Sequence, residues 1–86
     1  MQVLWKELLR EDLVAGPPAP LHVSAVHTLR IDGVVTFVWA VQSLDGWYVA
    51  PAGMSVEESF KREGKAIYAT EQEAKAVALT QYLMGI

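Results

Sequence analysis

Two Asp-Gly pairs, Asp32-Gly33 and Asp45-Gly46, bracket the most strongly β-forming run in the chain. Between them lies Val34-Val35-Thr36-Phe37-Val38-Trp39-Ala40-Val41-Gln42-Ser43-Leu44, rich in the β-branched and aromatic side chains that suit a pleated sheet. A two-residue type I′ turn needs φ > 0 at both central positions, and Asp-Gly supplies this at low cost. The pattern predicts an antiparallel meander with strands over 22–31, 34–44 and 47–50, the last ended by Pro51 and Gly53. Sequential strands joined by hairpins lie side by side.

The flanks predict the remaining elements. Leu4, Trp5, Leu8, Leu9 and Leu13 form one apolar stripe at helical spacing, with Lys6, Glu7, Arg10 and Glu11 opposite, so 2–14 reads as a helix. Gly16-Pro17-Pro18-Ala19-Pro20 stops it, because proline cannot continue a helix, and 16–20 reads as a stiff connector. Ser55 with Glu58, and Thr70 with Glu73, have the spacing of capping boxes that open helices over 56–63 and 71–84. Residues 65–69 read as a short fourth strand. The expected fold class is therefore α+β: one domain over 1–86, with a three- to four-stranded antiparallel meander over 22–52 and an N-terminal and a C-terminal helix packed on it.

Composition bounds the chemistry. A chain of 86 residues buries only about 60% of its unfolded surface. Hydrophobic residues reach 52% and charged residues only 20%, which points to apolar surface that something must cover. There is no cysteine, so disulfides and thiolate metal sites are excluded. No apolar run of membrane-spanning length is present, and Met1-Gln2-Val3-Leu4-Trp5-Lys6-Glu7 lacks a basic leader, so a cytoplasmic location is expected. The net charge of −3 disfavours nonspecific nucleic-acid binding.

If both Asp-Gly pairs are two-residue loops, side chains sort by parity. One face then carries Val23, Ala25, His27, Leu29, Ile31, Val34, Thr36, Val38, Ala40, Gln42, Leu44, Trp47 and Val49. The other carries Ser24, Val26, Thr28, Arg30, Val35, Phe37, Trp39, Val41, Ser43, Tyr48 and Ala50. The central strand is apolar on both sides, unlike a sheet with one solvated face. Either helices of the same chain cover both faces, or one face meets another chain. Phe37, Trp39 and Tyr48, with Arg30, are the candidate partner-binding residues, and Trp5 or Trp47 the second choice.

Other chemistry is thin. His22 and His27 fall on opposite faces of one strand and cannot share a metal. Asp32 and Asp45 occupy turn positions, the glutamates suit helix starts, and Ser55 and Thr70 are caps. Lys61, Arg62 and Lys65 form a basic cluster interrupted by Glu63, which reads as a solvated helix end. No catalytic residue, cofactor or metal is expected.

Two resemblances enter at the C-terminal half. Asp45-Gly46-Trp47-Tyr48-Val49-Ala50-Pro51, then Gly64, then Ala69-Thr70-Glu71-Gln72-Glu73-Ala74, is similar to the small HicB-type antitoxin domain. The expected element order, with Glu73-Ala74-Lys75-Ala76-Val77-Ala78 in the last helix, resembles the double-stranded-RNA-binding domain. That family carries a Lys-rich pair where Glu71 and Gln72 stand here. The resemblances imply an antitoxin-like or nucleic-acid-binding regulatory domain. The residues themselves point first to a non-enzymatic protein-interaction module. It would act on itself as a homodimer, or on another protein as a regulator or phage-type inhibitor, anti-defence proteins included.

Overall fold

The computed structural model describes residues 1–9 and 20–85. Four antiparallel strands form one sheet in sequential order: β1 (Val3–Leu9), β2 (Val23–Ile31), β3 (Val34–Ser43) and β4 (Gly46–Ala50). Two helices follow, α1 (Val56–Phe60) and α2 (Glu71–Leu83). The α+β meander is as expected.

The N-terminal segment corrects the sequence reading. Val3–Leu9 is not a helix but an edge strand, with Val3 opposite Ile31, Trp5 opposite Leu29 and Glu7 opposite His27. Its leucines fit a helical stripe, yet Val3 and Trp5 also alternate, and both reach the apolar cluster under α2 when the segment is extended. Cross-strand packing decides between the two periods. The rest of the expected helix, and the connector over 16–20 apart from Pro20, lie outside the described residues.

The Asp32-Gly33 turn forms as predicted, with φ of 51° and 79° and Ile31 opposite Val34. Asp32 also holds the start of β1: its N–H donates to the Gln2 carbonyl at 2.8 Å, and its Oδ1 accepts from the Gln2 N–H at 2.7 Å. The second turn differs. Ser43 pairs with Gly46, so Leu44 and Asp45 are the loop residues and Gly46, at φ 142°, is the first residue of β4. The register therefore slips by two from the one expected for an Asp45-Gly46 loop. An even slip leaves each side chain on its own face.

A second even slip occurs inside the β2–β3 ladder, where Thr36, Phe37 and Val38 stand opposite Leu29 alone. A single-residue irregularity near Ser24 turns Val23 to the opposite face from the one expected, where it joins Val26, Val41 and Tyr48.

The two faces carry separate cores. Ala74 and Ala78 of α2 let the helix approach closely to Leu29, Val38, Ala40, Trp47 and Val49. On the other face Phe60 of α1 closes over Val23, Val26, Val41 and Tyr48, with Trp39 alongside. The N-cap bond of each expected capping box is present: Ser55 Oγ accepts from the Glu58 N–H and Thr70 Oγ1 from the Glu73 N–H, each at 3.1 Å. The helix expected over 56–63 ends at Phe60, where Lys65 Nζ donates to the carbonyls of Glu58 and Lys61. In place of a strand over 65–69 there is a single bridge, Tyr68 pairing with Trp47 on the outer side of β4.

Candidate functional site

α1 is only five residues long and cannot cover a whole sheet face. The strand pairings place Leu4 and Lys6 of β1, Thr28 and Arg30 of β2, and Val35 and Trp39 of β3 on the same face as α1. The end near Val26, Val41 and Tyr48 is closed by Phe60, and the end toward the Asp32-Gly33 turn is open. There Leu4 is 50% and Val35 42% exposed, and both Lys6 and Arg30 are exposed.

Phe37 stands at the margin of this open area, 71% exposed between buried Thr36 and Val38. Its φ is 61°, a left-handed conformation that a bulky L-residue rarely adopts. The bulge is held by Thr36, whose Oγ1 donates to the Leu29 carbonyl at 2.9 Å and accepts from the Val38 N–H at 3.3 Å. The threonine hydroxyl thus replaces a missing ladder bond.

The four residues expected to bind a partner therefore separate. Phe37 and Arg30 are exposed, and Trp39 is half-buried with its ring 5.5 Å from Phe60. Tyr48 is fully buried, donating its hydroxyl to the Phe60 carbonyl at 2.9 Å. Burial pushes the Tyr48 pKa up to about 12, with Arg62 opposing, so the phenol stays neutral. A partner could not reach Tyr48 without displacing α1. Of the second choices, Trp47 is buried and Trp5 packs at the edge of the same core. Leu4, Lys6 and Val35 were not among the expected site residues. The first two lie on the segment read as a helix, although their alternation with Val3 and Trp5 is a strand signal.

The two histidines do lie on opposite faces. His22 is within 3.2 Å of the Tyr48 hydroxyl and 3.1 Å of the Phe60 carbonyl. His27 is buried under α2, its Nε2 3.1 Å from Glu7 and its Nδ1 3.3 Å from Glu71, its ring edge-on to Trp47. The Glu7 contact has ion-pair distance without hydrogen-bond alignment. Lys75 binds Glu71 at 3.2 Å and lies over the Trp5 ring. A neutral imidazole has one N–H, so it can donate to only one carboxylate at a time.

Burial holds the His27 pKa below its ordinary 6.5, helped by Lys75 and opposed by Glu71 and Glu7. The unfolded chain therefore takes up this proton at higher pH than the folded one. The stabilisation is full above pH 6.5 and is lost as pH falls toward the folded-state value. In urea titrations between about pH 7.5 and about pH 5, the wild type should lose more stability than His27→Gln. Equal slopes would remove His27 as the source.

Each member of the basic cluster has a partner within the chain: Lys61 pairs with Glu58, Arg62 with Asp45, and Lys65 with the end of α1. Ser43 Oγ, and then Arg62, hold the Asp45 carboxyl below its ordinary range. A groove of about 270 Å³ beside the end of α2, lined by Val38, Pro51, Ala78, Gln81 and Tyr82, brings no two titratable side chains together. Among the described residues no group of three or more His, Asp or Glu could hold a metal ion, and no helix is long and apolar enough to cross a membrane. No family model, curated protein or solved structure matches the chain.

Proposed function

We propose that this chain is a non-enzymatic protein-interaction module that receives another protein on the open sheet face beside Phe37. One observation carries the reading: an aromatic side chain is held in solvent by a strained backbone. Stability alone favours neither feature. A left-handed non-glycine residue costs about 1–2 kcal/mol, and an exposed phenylalanine forgoes the roughly 1.5–3 kcal/mol that burial of such a side chain provides. Strain of this kind, locked by a neighbouring hydroxyl, is characteristic of sites that present a residue to a ligand. A regulator or inhibitor that works by occupying a partner's surface needs no more chemistry than this.

Phe37→Gly separates function from folding. Glycine relieves the backbone strain, so stability should rise by about 1 kcal/mol, read as a higher urea midpoint at unchanged slope. Peptides selected from a random display library on the wild-type chain should lose most of their binding to the variant. Selected peptides that bind both proteins equally would overturn the reading, as would a marked loss of stability, which would make Phe37 a structural residue.

A further inference from the structure

We infer that the segment received by this face is an acidic, apolar stretch of another protein, with carboxylates on Lys6 and Arg30 and apolar side chains on Leu4, Val35 and Phe37. This rests on the docking function just proposed and specifies its partner. Of the cationic side chains among the described residues, Lys61, Arg62, Lys65 and Lys75 all have partners within the chain. Lys6 and Arg30 have none. The ladder makes them diagonal neighbours, Leu4 being opposite Arg30 and Lys6 opposite Thr28. No carboxylate occupies this face of β1, β2 or β3.

In a chain of net charge −3, the two cationic side chains without a partner among the described residues thus fall together on a sheet area that is also open and apolar. Like charges so placed repel weakly, and an incoming carboxylate relieves that repulsion while the apolar contacts supply area. Leu4 and Lys6 follow one another on one face of β1, so an extended segment whose every second residue is apolar and acidic in turn matches the pattern.

Two other occupants fit less well. A second copy docked through the same face in a two-fold contact would set Lys6 and Arg30 against themselves. A nucleic-acid strand is gripped by denser positive charge and by several stacking rings, whereas Phe37 is the one aromatic ring fully open here.

The test uses the full chain, isotope-labelled, and four probes at low ionic strength: three capped peptides whose every second residue is in turn Leu or Phe and Glu, Leu or Phe and Ser, or Leu or Phe and Lys, with Thr between, and a short oligothymidylate. The Glu peptide should bind tightest and shift the amides of Leu4, Lys6, Arg30, Val35 and Phe37. The double variant Lys6→Glu with Arg30→Glu should bind it about tenfold more weakly and gain affinity for the Lys peptide. If that variant unfolds, the Lys6→Gln with Arg30→Gln pair should still lose the preference for Glu over Ser. Equal binding of the Glu and Ser peptides would overturn the acidic partner and leave the docking surface standing. Preference for the Lys peptide or the oligonucleotide, or self-association that hides these amides, would also overturn it. No shifts with any peptide would overturn both readings.

Discussion

Gly46→Ala is expected to destabilise the fold by about 3–5 kcal/mol, combining backbone strain with loss of the Trp47–Tyr68 bridge. At φ 142° the residue lies where L-side chains are strained whatever the surrounding space. Space is also missing. A Cβ at this position would stand 2.6 Å from the Tyr68 carbonyl oxygen and 2.8 Å from Ile67 Cγ2. That oxygen cannot simply retreat, because it accepts from the Trp47 N–H at 2.8 Å while the Tyr68 N–H donates back to Trp47 at 2.7 Å. Gly33 is the internal control: its φ is 79° and nothing lies within 4 Å of a Cβ built there. Urea unfolding of both alanine variants, with amide exchange at Trp47 and Tyr68, provides the comparison. If Gly46→Ala costs no more than Gly33→Ala, the close approach has no energetic importance.

Leu29→Ala is expected to cost about 2–5 kcal/mol, the range for emptying a fully buried leucine site. Leu29 is 0% exposed and lies against Val38, Ala40 and Trp47 beneath the alanines of α2. Its neighbours have little freedom to fill the space, since Ala74 and Ala78 already let the helix backbone approach as near as it can. For a domain of this size each kcal/mol lowers the melting temperature by roughly 4–8 °C, so the variant should melt at least about 8 °C below wild type in a circular-dichroism scan. Leu4→Ala, on the exposed face, should stay within about 0.5 kcal/mol. Similar losses for the two variants would show that Leu29 is not held in a tightly packed core.

The meander, the first turn and both helix starts were legible because each rests on local chemistry: Asp32-Gly33, Ser55 with Glu58, Thr70 with Glu73. Beyond Val23, which a one-residue irregularity turns over, the face assignment holds despite the misplaced second turn because that register slip is even. The Asp-Gly pair marks Gly46 as a turn residue, but its need for glycine comes from Tyr68, distant in sequence and invisible to turn rules. The N-terminal strand is not legible because Leu4, Leu8 and Leu9 satisfy a helical period as well as Val3 and Trp5 satisfy a strand period. The helical reading hides Leu4 and Lys6, two of the five residues of the candidate surface. Phe37 was singled out from its parity, but its bulge depends on the Thr36 hydroxyl finding the Leu29 carbonyl, and no glycine marks the place. The His27 environment was illegible for a related reason: Glu7 and Glu71 come from segments at opposite ends of the chain.

The bridge from Tyr68 has a consequence for assembly. A sheet with two bare borders can add copies on both sides without limit, which is the geometry of a filament. Here the β4 border is occupied at Trp47, while no described segment pairs with the outer side of β1. The Tyr68 bridge thus takes up the Trp47 backbone groups that a further strand would need at this border, and so works against strand addition there.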